Sequence, residues 1–170
     1  MQALQIPLLL IFPTLAIIGA LKDLTSYTIP NWISLALIAA FLPVALISGA
    51  PLAQVGLCLV VGFCGLVLGM GMFAAGWIGG GDAKLLAAGA LWMGWPGAFM
   101  FVAYTGLAGG AVALAVLTLR SGYLAPAVAG APAWVRKLGT HGGALPYGVA
   151  IAIGALAAFP QGALALAVLR

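Results

Sequence analysis

Apolar runs of roughly twenty residues recur from one end of this chain to the other, and they limit what it can fold into. A stretch of about 20 apolar residues is what a helix needs to cross a bilayer. Of the 170 residues, 65% are hydrophobic and only 5% are charged. A soluble domain carries about a quarter charged residues, so this chain cannot coat itself with a water-compatible surface. The expected fold is therefore all-α: a polytopic membrane protein, with residues 1–170 forming one membrane-embedded domain of about six transmembrane helices.

The segment boundaries follow from breakers and polar residues. Segment one covers about Ala3 to Leu21 and ends at Lys22-Asp23, with Pro7 and Pro13 inside it. A polar stretch, Lys22 to Thr28, leads to Ile29-Pro30-Asn31, where Pro30 marks the start of segment two because proline is tolerated in a first helical turn. Segment two runs to Ile47, and segment three from Leu52 to Ala75. Within it, Gly65 and Gly69 form a GxxxG pair that lets another helix approach. The glycine loop 76–81 precedes segment four, Asp82 to Met93. A turn at 92–96 then leads into segment five, Gly97 to Leu119. Arg120 to Ala144 is the longest polar connection and has room for a short helix lying on the membrane. Segment six begins at Leu145-Pro146-Tyr147-Gly148, with Pro160 as a kink or break.

Charge sets the orientation. The net charge of +4 comes from scattered basic residues at helix ends. It describes no nucleic-acid footprint and fits positive-inside topology. With six spans, Lys22, Lys84, Arg120, Arg136 and Lys137 share one side, which is expected to be cytoplasmic; only Arg170 falls opposite. All five tryptophans lie near span ends, as an interfacial belt would place them. The N-terminus has no basic region before its first apolar run, so a retained first helix is expected rather than a cleaved signal. Cys58 and Cys64 sit about 120° apart on one helix and are expected to pack as apolar residues.

The chemistry rests on scarcity. Asp23 and Asp82 are the only two acidic residues, and both fall at helix ends on the basic face. Singly, Asp23 reads as a polar loop residue and Asp82 as a helix N-cap. Together they form a pair that a bundle can close around a wet cleft, and ionisable residues at membrane depth are usually functional. One ionised and one protonated carboxyl can activate water and polarise a carbonyl, as in aspartic proteolysis. A single histidine, His141, is too few for a zinc site; it is expected to be a solvated loop residue. No metal and no cofactor are expected. An acid pair could also serve a small proton-coupled transporter, and a structural assembly subunit would need no chemistry at all.

Gly79-x-Gly81-Asp82-x-Lys84-Leu85 fits a GxGD signature, and with Asp23-x5-Ile29-Pro30-Asn31 and Leu145-Pro146-Tyr147-Gly148 the ordered set resembles the type IV prepilin peptidase family. The resemblance implies Asp23 and Asp82 as the catalytic pair, with Gly79, Gly81, Lys84, Asn31 and Pro30 as supporting residues. It also implies a prepilin or pseudopilin precursor as partner: a short basic leader, a glycine before the cut, and an apolar helix after it. The setting would be the bacterial inner membrane, with the site facing the cytoplasm. The chain lacks the cysteine-bearing region of larger relatives and resembles the short, peptidase-only form of tight-adherence (Flp-type) pili, so no methyltransferase activity is expected. The short archaeal preflagellin peptidases are similar too.

Three finer expectations concern the helix ends. Asp82 opens a helix and Asp23 follows a helix C-terminus, so the dipoles should favour Asp82 as the ionised base and Asp23 as the protonated partner. Lys84 lies about 200° round the helix from Asp82 and should snorkel to headgroups or contact substrate or a loop. Asn31 should cap segment two or donate near the site.

Overall fold

The computed structural model describes residues 2–121, 130–140 and 145–169, and their regular structure is helical throughout. Helices α1 (Gln2–Leu9) and α2 (Ile11–Ser26) make the first span, and Pro13 sits in the opening turn of α2. The expected end at Leu21 is too early. Thr25 and Ser26 bond back to the carbonyls of Leu21 and Lys22 at 2.7 and 2.6 Å, so the polar stretch satisfies itself inside the helix. The chain leaves α2 at Tyr27, whose left-handed backbone (φ 57°) ends the helix.

Pro30, extended at φ −60° and ψ 135°, is the N-cap of α3 (Asn31–Ile47). Helix α4 (Leu52–Ala74) follows, then α5 (Gly80–Arg120), which is broken at Gly94 (φ 57°, ψ −166°) and Trp95 into limbs 80–93 and 97–120. The short α6 (Ala133–Leu138) occupies the expected place of a surface helix. The last span comprises α7 (Tyr147–Ala158), a 3-10 turn at Phe159–Gln161 around Pro160, and α8 (Ala163–Leu169). Stretches 5–26, 52–74, 80–120 and 147–168 are long and apolar enough to cross a membrane, and α3 is a shorter apolar helix. With the two limbs of α5 taken separately, the described residues form six apolar helical segments, as expected of an all-α polytopic membrane protein.

The first limb of α5 is the centre of the bundle, buried from Leu85 through Gly94. Helix α4 lies close against it because glycines face it. A Cβ added at Gly65 would stand 2.7 Å from the Ala90 Cβ, and one at Gly69 would stand 2.9 Å from the Ala83 carbonyl oxygen. The GxxxG pair thus serves packing, as its spacing suggests. On the other side, Trp92 is 1% exposed, stacks on Phe12 at 5.3 Å, and donates its Nε1–H to the Leu37 carbonyl at 2.9 Å. This corrects the expectation of five interfacial tryptophans. Position 92 lies near a span end in sequence, but it belongs to the buried first limb of α5, so its ring packs in the core, where its N–H finds a partner. Trp32, Trp77, Trp95 and Trp134 are exposed as a belt requires, while Cys58 is buried and Cys64 exposed.

Candidate active site

The two aspartates meet. Asp23 comes from the last turn of α2 and Asp82 from the first turn of α5, and they line one cavity of about 200 Å³ with Tyr27, Thr28, Ile29, Gly79, Gly80 and Gly81. They are 5% and 7% exposed, the two most deeply withdrawn charged residues among those described.

Each carboxylate is held by a backbone amide at the start of a helix. Asp82 is the third residue of α5 after the N-cap Gly79, and its Oδ2 accepts the Gly79 N–H at 3.0 Å. This is the half of a capping box that an acidic side chain supplies. The Asp82 reading as an N-cap is therefore corrected by three residues. Its second oxygen, Oδ1, is buried with no hydrogen-bond partner. Leaving a buried carboxylate oxygen unsatisfied is costly, so this atom is poised for a water or a ligand donor.

Asp23 Oδ2 accepts the Gly148 N–H at 2.8 Å. Gly148 stands in the opening turn of α7, where backbone N–H groups have no partner within the helix. Its lack of a side chain is required. A Cβ there would lie 2.7 Å from Ile29 Cδ1 and 2.9 Å from both Asp23 Cβ and Oδ2. Gly81 serves a parallel purpose, since its Cβ would stand 3.1 Å from Ile29 Cβ and 3.2 Å from the Ile29 carbonyl oxygen. The two glycines let α5 and α7 close on the α2–α3 loop from either side.

The expected division of labour between the aspartates loses its basis here. Asp23 does not follow a helix end: the Tyr27 N–H donates to the Asp23 carbonyl at 2.8 Å and closes the last turn beyond it. Its carboxylate also receives an N-terminal amide of α7, as that of Asp82 receives one of α5. Helix N-termini favour negative charge at both, and the helix ends no longer distinguish a base from an acid.

The remaining expected site residues divide into two groups. Gly79 and Gly81 line the cavity. Pro30, Asn31 and Lys84 do not, and they act one step away. Lys84 Nζ donates to Asn31 Oδ1 at 2.8 Å, on the exposed surface. The lysine thus ties α5 to the start of α3 instead of simply reaching for headgroups, and Asn31 accepts this bond without capping α3. His141 and Arg170 lie outside the described residues.

Three contributors were not assigned to the site from sequence: the Gly148 amide, Tyr27 and Ile29, although Gly148 and Ile29 belong to the motifs that carry the resemblance. The signal for the first was a glycine two residues after Pro146 at a helix start, a place where amides are free. Tyr27 also carries α6. Its hydroxyl donates to the Trp134 carbonyl at 3.4 Å, Lys137 Nζ lies 4.4 Å from its ring centroid, and Arg120 Nε donates to the Leu138 carbonyl at 3.0 Å. Burial pushes the Tyr27 phenol above its ordinary value, with the Asp23 charge adding to this and Arg120 opposing it. It stays protonated and able to donate at neutral pH.

These contacts bring Arg120, Lys137 and the helix that carries Arg136 to the end of the bundle that holds the aspartates, where Lys22 adjoins Asp23 and Lys84 follows Asp82 in the first turns of α5. The result is a multi-pass helical membrane protein with two carboxylates in one small cavity at its basic end. The model of the type IV leader peptidase family matches residues 10–114, more than half of the chain, and the protein belongs to that family of peptidases. The matched span contains Asp23, Asp82 and all the supporting residues expected from the sequence; Gly148 lies beyond it. Neither a curated protein nor a solved structure matches the chain significantly.

Proposed function

We propose that the protein is an aspartic endopeptidase that removes a short basic leader from Flp-like prepilins or pseudopilins, cutting after glycine at the cytoplasmic face of the bacterial inner membrane. The observation that carries this reading is the shared cavity of Asp23 and Asp82, in which each carboxylate has one oxygen fixed by a backbone N–H and Asp82 Oδ1 is free. Family membership supports the peptidase class. The clustering of basic side chains at this end supports the cytoplasmic placement through the positive-inside rule.

In this mechanism the ionised aspartate takes a proton from a water molecule as its oxygen attacks the carbonyl carbon of the scissile glycine. The protonated aspartate gives its proton to that carbonyl oxygen, and a neutral tetrahedral diol forms. Collapse of the diol breaks the C–N bond. The leaving nitrogen is protonated by the first carboxyl, and the hydroxyl proton returns to the second. No covalent bond to the enzyme is made. General acid–base transfer of this kind contributes about 10²–10⁴-fold. A glycine before the cut suits a cavity floored by Gly79, Gly80 and Gly81, where two backbones can approach without side chains between them.

The test is cleavage of a purified precursor by the purified protein in detergent, read by mass spectrometry. A single cut after the leader glycine, unchanged by excess EDTA, is the expected result. Cleavage elsewhere in the chain, or loss of activity on chelation, would contradict the proposal.

A further inference from the structure

Two bilayer-facing grooves flank the aspartate cavity, and they differ in which face of α5 they use. The larger, about 430 Å³ between α3, α4 and α5, is reached from Lys84, Ala87 and Leu91. These positions lie about 140–200° round the helix from Asp82. The other, about 290 Å³, is walled by α4, α7 and both limbs of α5, with Met72, Ile78, Leu86, Gly106, Gly110 and Tyr147 among its lining. Leu86 is one turn below Asp82 on the same face. Ile78 precedes Gly79, and Tyr147 precedes the Gly148 amide that holds Asp23. The smaller groove thus lies on the Asp82 face of α5 and is lined by immediate neighbours of residues that build the aspartate site.

Its glycines are of a different kind from those that pack α4. Gly106 and Gly110 form a GxxxG pair on the second limb of α5, and a Cβ added at either would meet nothing within 4 Å. By contrast, Gly65 and Gly69 are filled by α5 at under 3 Å. In a bilayer such a pair gives a second helix a close backbone approach. One helical turn from Leu86 of this groove, Asp82, more than nine-tenths buried, holds Oδ1 without a partner.

We infer that this groove receives the apolar helix of the precursor, seated on Gly106 and Gly110, so that the extended segment before that helix crosses the aspartate cavity. The inference rests on the proposed leader-peptidase reading and deepens it by choosing one side of the molecule for the substrate. A helix 10–12 Å across would place only its contacting face in the groove, its outer face remaining in lipid.

The experiment places a photoreactive benzophenone side chain at position 68, on the α4 wall of the smaller groove, or at position 59 in the other groove, in full-length Asp82→Asn protein that holds a tagged precursor uncut in bilayer nanodiscs. Crosslinks from position 68 to the apolar segment of the precursor, with none from position 59, are expected. In otherwise wild-type protein, Gly110→Leu and Gly106→Leu should each raise KM about tenfold with kcat preserved, the scale of one lost close helix contact. Leu59→Trp, which partly fills the other groove, should leave KM within twofold of wild type. Crosslinks from position 59 only, crosslinks from 68 solely to lipid or to a second copy of the chain, or unchanged KM in both glycine variants would overturn the inference. A precursor that crosslinks at 68 but is never cut by wild-type protein would uphold the docking site and remove the peptidase reading, so the two failures are separable.

Discussion

Replacing Gly148 by alanine tests the site where the structure is tightest. The added methyl would lie 2.9 Å from Asp23 Cβ and Oδ2 and 2.7 Å from Ile29 Cδ1, which is 0.5–0.7 Å inside the 3.4 Å where ordinary contact begins. Ile29 Cδ1 is the end of a flexible side chain and can turn away. Asp23 Cβ is bonded to a Cα held in helix α2 and cannot, so the carboxylate must shift and the 2.8 Å bond from the Gly148 N–H must lengthen. Overpacking of this sort costs about 1–3 kcal/mol, and a catalytic group displaced by ~1 Å can lose about a hundredfold in rate. We expect kcat for precursor cleavage to fall about a hundredfold, equivalent to about 2.7 kcal/mol of barrier, while KM changes less than about threefold. The assay is a time course of leader removal with purified protein in detergent, with the melting temperature followed in parallel to establish folding. The control is Gly71→Ala in α4, where a Cβ would meet nothing within 4 Å. There helix propensity alone should stabilise by about 1 kcal/mol with activity unchanged. A folded Gly148→Ala protein with wild-type kcat would refute the reasoning that this amide positions Asp23.

Other substitutions probe the scaffold. Gly69→Leu should force α4 away from α5, because even a Cβ would stand 2.9 Å from the Ala83 carbonyl oxygen; thermal melting should show a loss of about 1–3 kcal/mol or more. Trp92→Ala should cost about 3–5 kcal/mol by removing a fully buried ring and its bond to the Leu37 carbonyl. Lys84→Met removes the exposed hydrogen bond to Asn31, and its effect on melting should stay under about 1 kcal/mol.

Much of this molecule was legible because lipid imposes few solutions. Long apolar runs became helices, Pro30 became a helix start, and the turn at 92–96 became a break that divides α5. The pairing of Asp23 with Asp82 could be reasoned from scarcity and sidedness, since only two acids exist and both fall at one end. What was not legible depends on distances between segments far apart in sequence. Gly148 lies 125 residues from the aspartate that its amide holds, and nothing in local periodicity marks an amide as a donor to a distant carboxylate. Trp92 misled for the opposite reason. Closeness to a span end in sequence says nothing about whether the helix that carries the ring is surrounded by others. The polar run after Leu21 misled because serine and threonine can satisfy their hydroxyls on the preceding turn, which extends a helix where composition suggests a loop.

The central claim is that Asp23 and Asp82 act as a pair, and leader removal from a co-expressed tagged precursor, read as a gel shift, tests it most directly. Asp23→Asn and Asp82→Asn keep the shape of each side chain and an oxygen able to accept its backbone N–H. Both should fold, yet lower cleavage by about a thousandfold each, and by no more in combination, as expected of groups that act as one unit. A folded single variant that cleaves the precursor at the wild-type rate would contradict the account.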